Sequence, residues 1–131
     1  MTKLSAIFHA RRRSLGDKGE RFAARWLSRH GYRILHRKYR IGDDEADLIA
    51  LDPDGCTIVI VEVKTRSTDE PAPEAGIDRT KQFRLARLAA RLAKRPSFQD
   101  RPLRFDAIGV VWPDHGKPQI KHSVAAFDSP F

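Results

Sequence analysis

The sequence predicts a mixed α/β domain in the order α-β-β-β-α-β-β, and three observations carry that prediction. Two segments repeat apolar residues at helical spacing. The segment from Thr57 to Arg66 opens on the β-branched run Ile58-Val59-Ile60-Val61, which suits a strand buried on both faces. Between the segments lie Gly- and Pro-containing turn signals that set their limits.

Taken in order, Asp17 to His30 reads as the first helix. Phe22, Ala23, Trp26 and Leu27 cluster on one face, and Gly31 follows at the position that ends helices. Tyr32 to Arg40 alternates as a first strand with a basic face. Glu45 to Leu51 is a second strand, and Asp52-Pro53-Asp54-Gly55 a turn, with Pro and Gly where a β-turn takes them. The third strand is followed by a break at Pro71 and Pro73. A long helix is expected from about Glu74 to Arg95, with Leu85, Leu88, Ala89 and Leu92 on its buried stripe and Pro96 as its stop. Leu103 to Trp112 and Gln119 to Val124 complete the strands. Trp26 and Phe83 read as core, and Tyr39 as a candidate for base stacking.

At 131 residues the chain is expected to form one domain, residues 15–126, preceded by a basic arm, 1–14, and followed by a tail, 127–131. The arm holds Lys3 and Arg11-Arg12-Arg13 and no acid. It reads as a flexible segment that touches phosphates, with an organellar transit peptide as the alternative. Twenty-five Lys and Arg against 17 Asp and Glu give a formal charge of +8, which favours a polyanionic partner such as nucleic acid. The single Cys56 excludes an internal disulfide or a Cys-rich zinc site and fits a reducing, cytoplasmic compartment. No apolar run reaches the ~18 residues of a membrane span. The five histidines lack metal-ligand spacing, and no nucleophile motif or phosphate-cradling Gly loop is present.

The chemistry is expected between Asp43 and Arg66. Glu62 and Lys64 alternate onto one strand face about 7 Å apart. Asp47 lies in the preceding strand, and a hairpin brings the two strands together. A turn that sets Asp47 opposite Ile60 or Glu62 makes the acids share a face, whereas a bulge at Gly55 pairs Asp47 with Val61. Both registers stay open. Paired carboxylates, Asp47 and Glu62, hold Mg²⁺ or Mn²⁺ through hard oxygens. A metal so held acidifies water and neutralises phosphoryl charge, while a lysine such as Lys64 steadies developing negative charge. The plainer reading is a solvated Glu62–Lys64 ion pair, against which stands the cost of charges entering so apolar a strand.

Glu20, at the rim of the first helix's apolar face, reads either as a residue aimed at the metal or as a first-turn Glu favoured by the helix dipole. Lys81 heads the buried stripe of the second helix, as active-site or phosphate support or as a snorkelling lysine. Arg37, Lys38, Arg40, Arg66, Arg84, Arg87 and Arg91 are candidate backbone contacts to nucleic acid, the alternative on the helix being a solvated face.

These residues resemble a family. Gly19-Glu20, Ala23 to Leu27 and Gly31-Tyr32 look like the start of the bacterial YraN family. Asp44-Glu45-Ala46-Asp47-Leu48-Ile49-Ala50 and Val61-Glu62-Val63-Lys64-Thr65-Arg66 resemble its two signatures, with Lys81 and Arg104-Phe105-Asp106 in matching places. The likeness covers roughly residues 15 to 112. It implies a restriction-endonuclease-like fold of the PD-(D/E)xK nuclease type, a mixed central sheet flanked by helices, related to Holliday-junction resolvases. By that likeness Asp47, Glu62 and Lys64 form the core site, and Glu20 takes the place of a helix glutamate. The departures are Asp44 for glycine, Ala46 for isoleucine, Lys38 for asparagine and the missing Phe-Gly between Ser67 and Pro73.

The expected function is therefore a Mg²⁺- or Mn²⁺-dependent endonuclease on DNA, including branched DNA. A binding module with the same fold that does not cut, and an adaptor in which Glu62 and Lys64 are merely paired, are the rivals. Symmetric cleavage of two strands would need a homodimer, but no dimer surface is readable.

Overall fold

The seven predicted elements follow one another in the predicted order. The computed structural model describes residues 3–67 and 76–129, with side chains from residue 15 onward. Helix α1 (Lys3–Arg29) leads into strands β1 (Arg33–Ile41), β2 (Asp44–Leu51) and β3 (Ile58–Arg66). Helix α2 (Arg79–Leu92), a short 3-10 turn (Pro96–Phe98), β4 (Leu103–Val111) and β5 (Gln119–Ser123) complete the chain.

Local chemistry explains most of the boundaries. Gly31, at φ 89°, ends α1. The Gly31 N–H donates to Ser28 O and the Tyr32 N–H to Leu27 O, the paired bonds that close a helix on a left-handed glycine. After β2, Asp54 Oδ1 accepts from the N–H groups of Cys56 and Thr57, both at 2.8 Å. The Gly55 N–H donates back to Asp52 O, so the chain re-enters the sheet with Leu51 opposite Ile58.

Three boundaries differ from expectation. Helix α1 begins at Lys3, so from there on the expected arm continues the helix backbone. Helix α2 begins at Arg79, where Asp78 accepts the Lys81 N–H at 2.8 Å as N-cap. It ends at Leu92, before Pro96, which instead opens the 3-10 turn. The expected break at Pro71 and Pro73, and Glu74, lie outside the described residues.

The five strands form one sheet in the order β1-β2-β3-β4-β5. β1, β2 and β3 are antiparallel neighbours, β3 and β4 run parallel, and β5 returns antiparallel to β4. The parallel pair needs a crossover, which α2 supplies. The expected mixed sheet flanked by helices is therefore the architecture. β3 is covered on both sides, as its continuous apolar run predicts. Ile58 and Ile60 pack with Leu85, Leu88 and Leu92 of α2. Val59, Val61 and Val63 pack with Ala23 and Leu27 of α1.

One irregularity positions the site. Ala46 belongs to the α2-side cluster and Leu48 to the α1-side cluster. Residues two apart on a regular strand share a face, so the pleat reverses at Asp47. On β1 the pairs Arg37↔Leu48 and Tyr39↔Ala46 leave Lys38 at the same level. Lys38 takes φ 50°, a left-handed backbone uncommon for a side chain of its kind. β2 and β3 pair only as far as Leu48↔Val61. Beyond that point the two strands fork.

Candidate active site

Asp47 stands in the fork. The register, continued one residue past Leu48↔Val61, sets it across from Glu62. Its carboxylate takes up the hydrogen bond that the broken ladder leaves open, Oδ2 accepting the Val63 N–H at 2.8 Å. Of the two open registers, the one placing Asp47 opposite Glu62 is found. The two do not simply share a face, however. Glu62 projects to the α2 side with Ile58 and Ile60, while Asp47 lies where the pleat turns over.

That position lets Asp47 reach acids on both sides of the sheet. On the α2 side, Glu62 is 5% exposed, and Lys81 Nζ lies 3.4 Å from its Oε1. Burial first, and then the charge of Asp47, push the Glu62 carboxyl up to about 8, with Lys81 and Lys64 pulling the other way. On the α1 side, burial and the charge of Asp47 push half-buried Glu20 up to about 7, while Lys38 opposes. Lys64, two residues beyond Glu62 on the same strand face, is half-buried. The site thus draws on α1, β2, β3 and α2.

Gly19 explains how α1 comes close enough. A Cβ placed there would lie 1.7 Å from Thr65 Oγ1, so only glycine allows this approach of helix to strand. Glu20 is far from the helix start at Lys3, which removes the first-turn dipole reading. Gly76 lies beside the ends of the Arg66 and Lys64 side chains, Lys64 Cε being 3.2 Å from where a Cβ would stand.

The donor set suits a hard divalent cation. Glu20 Oε2 and Glu62 Oε2 are buried and have no hydrogen-bond partner among the described residues, a costly arrangement that a cation offsets. Asp47 and Glu62 are the residues that would hold it, with Glu20 adjoining. Among the described residues no three His, Cys, Asp or Glu side chains close into a complete ligand group. A site of this kind would rely on water for the rest of its shell, as Mg²⁺ commonly does.

The candidate nucleic-acid contacts divide. Arg37, Arg84 and Arg91 are exposed, and Arg66 is half-buried at the site's edge beside Gly76. Lys38 Nζ is bonded to Asp17 at 2.6 Å, and Arg40 to Glu45 at 3.0 Å. Arg87 clasps buried Asp44 through two bonds of 2.7 Å, holding that carboxyl below its usual range against burial. Asp44, the departure from glycine, is thus a structural anchor that the sequence reading missed. Phe83, read as core, is 46% exposed. Tyr39, read as a stacking candidate, is half-buried beside His36 and the Arg95 guanidinium.

A second polar cluster braces the α1 side. Asp106, 1% exposed, accepts from Arg104 Nε at 2.9 Å and from the Ala125 N–H at 3.0 Å, with His122 Nε2 at 2.7 Å. Burial raises its carboxyl, but the bonds from His122, Arg104 and Ala125 outweigh that and hold it low. Arg104 also bonds Asp52 at 2.7 Å and the Tyr32 hydroxyl at 3.1 Å. This ties β4 and β5 to the hairpin turn and to the end of α1.

A family model described as Uncharacterised protein family UPF0102 matches residues 19–110. The chain belongs to UPF0102. Members from Trichlorobacter lovleyi and Geotalea uraniireducens are 38% and 37% identical over 88% of this chain and 91% of their own length. A member from Beutenbergia cavernae is 39% identical over 83% of this chain and 92% of its own. The UPF0102 match takes in Glu20, Asp47, Glu62, Lys64 and Lys81. Among solved structures, Pyrococcus furiosus SfsA in complex with Ca²⁺ aligns at 18% identity and a TM-score of 0.38. That alignment covers 86% of this chain and 64% of the SfsA chain, and at that score it carries no argument. No helix among the described residues is long and apolar enough to cross a membrane.

Proposed function

We propose that the chain is a Mg²⁺- or Mn²⁺-dependent endonuclease that hydrolyses DNA phosphodiester bonds, branched DNA being the first substrate class to test. The observation that carries this reading is the convergence of Glu20, Asp47 and Glu62 at the β2–β3 fork, with two buried carboxylate oxygens unpartnered among the described residues and two lysines alongside. A bound divalent metal would neutralise charge on the phosphoryl group and acidify water.

The chain's own groups supply the rest. Asp47 is anchored by the Val63 N–H, which bonds its Oδ2 at 2.8 Å. Glu20, on the α1 side of Asp47, would position the metal or the attacking water. Lys64 steadies negative charge developing on the phosphate. Lys81 offsets the charge of Glu62 when that carboxyl ionises. The net charge of +8 favours the polyanion.

The test pairs calorimetric titration of Mn²⁺ with cleavage of branched and linear DNA. Asp47→Ala is expected to lose Mn²⁺ binding. Asp47→Ala and Glu62→Ala are expected to lose cleavage and keep DNA binding. Cleavage by either variant at the wild-type rate would sink the proposal. DNA affinity retained in chelator, with no turnover in any divalent metal, would favour the binding module instead.

A further inference from the structure

A cleft of about 320 Å³ lies on α1 against the end of β4. Its walls are Phe22, Trp26, Trp112 and Pro118, and Arg25 and Arg29 stand at its rim. The volume falls at the small end of ligand clefts, about 300–1,000 Å³. Phe22 packs edge to face on Trp112, with centroids 5.5 Å apart at 66°, and Trp26 carries His30 stacked on one face, with centroids 3.9 Å apart. Lys18 Nζ stands 4.7 Å over the Trp112 ring. No acid among the described residues lines the cleft. Arg25 and Arg29 are exposed, and neither has an ion-pair partner among the described residues.

Aromatic walls beside uncompensated cations match a ligand that is flat and apolar in one part and anionic in the other. A nucleotide in an unpaired strand is such a ligand: its base offers a π-face and its phosphate a charge. A duplex keeps its base faces stacked inside and offers only the charge. We infer that this cleft binds an unpaired DNA strand, a base lying against Trp26 or Trp112 and the phosphates on Arg25 and Arg29. The inference rests on the nuclease reading, which supplies the class of ligand. Glu20 and Trp26 lie on one helix, about 9 Å apart along its axis and about 120° apart around it, so the cleft and the carboxylates occupy different faces of α1.

The chain has two tryptophans, and both line this cleft, so indole emission reports on it directly. The experiment titrates a twelve-residue oligothymidylate, and separately a blunt duplex, into the full chain with EDTA present. Indole emission and the anisotropy of labelled DNA are followed together. Saturable quenching by the single strand is expected, coincident with the anisotropy change. Loss of the phosphate contacts is expected to weaken that strand about ten-fold in an Arg25→Glu/Arg29→Glu variant, with the affinity for duplex, which does not enter the cleft, changed much less. Both side chains are exposed, so this variant should fold. Single-strand binding without quenching, equal quenching by duplex, or equal losses for both DNA forms would overturn the inference. The readout needs neither metal nor cleavage, so an inert enzyme that is still quenched would count against the nuclease reading alone. A chain that binds no DNA would remove both.

Discussion

Replacing Glu62 with Gln should stabilise the protein, and by an amount that grows with pH. The Glu62 carboxyl is raised from 4.5 to about 8 in the folded chain, chiefly by burial. Between those values the folded state binds more protons than the unfolded state. Stability is therefore fullest below pH 4.5 and is lost as pH rises towards 8. Each ten-fold difference in proton affinity between the two states corresponds to about 1.4 kcal/mol, so in the wild type the carboxyl costs about 1 kcal/mol at pH 5 and about 3 kcal/mol at pH 7. Gln fills nearly the same volume and does not titrate. The variant's advantage should thus widen by about 2 kcal/mol between pH 5 and pH 7. Urea unfolding of both proteins in EDTA at pH 5, 6, 7 and 8 measures it. Glu20, raised to about 7, contributes in the same direction in both proteins, and because Asp47 acts on Glu20 and Glu62 alike, the difference reads Glu62 together with the response of these neighbours. An advantage that stays constant, or shrinks as pH rises, would refute the assignment of burial as the dominant force on this group. The trade of stability against function is what a built site leads one to expect.

Two further outcomes follow from contacts elsewhere. Gly19→Ala puts a methyl 1.7 Å from Thr65 Oγ1, so α1 must lift. A loss of about 1–3 kcal/mol in urea unfolding is expected, and Thr65→Ala should recover part of it. Asp106→Asn weakens the bonds that Arg104 and His122 make to a fully buried carboxylate, and a loss of about 3 kcal/mol is expected from the same measurement.

The sheet was legible because its strands carry strong local signals. The Ile58–Val61 run and the Asp52–Gly55 turn each specify their structure within a few residues. Glu62, Lys64, Asp47 and Lys81 could be brought together from strand alternation and helix spacing. What was not legible came from pairs far apart in sequence. Nothing local to Asp47 signals that the pleat turns over there, since the reversal depends on Lys38 across the β1–β2 pair and on β3 leaving the ladder. Arg87 looked like a phosphate contact because its helix flank is basic, and only the fold reveals Asp44 beneath it. Phe83 looked like core from its residue type alone, although its helical phase lies off the Leu85–Leu88–Leu92 stripe. Trp112 gained its meaning only when β4 came to lie beside α1.

The single parallel joint between β3 and β4 governs how the chain reaches this arrangement. β1, β2 and β3 are consecutive antiparallel strands joined by short turns, and hairpins of that kind form in about 1–10 μs. β4 pairs only after the whole crossover through α2 has been traversed, so its closure is the slower, non-local event. Asp47 and Glu62 ride on the early half of the sheet, while Lys81 arrives with the later half. A partly folded chain therefore confronts two carboxyls before the lysine that offsets one of them has docked. The docking of α2 that brings Lys81 also buries Glu62, so the raised carboxyl belongs to the closed sheet and not to the early hairpins.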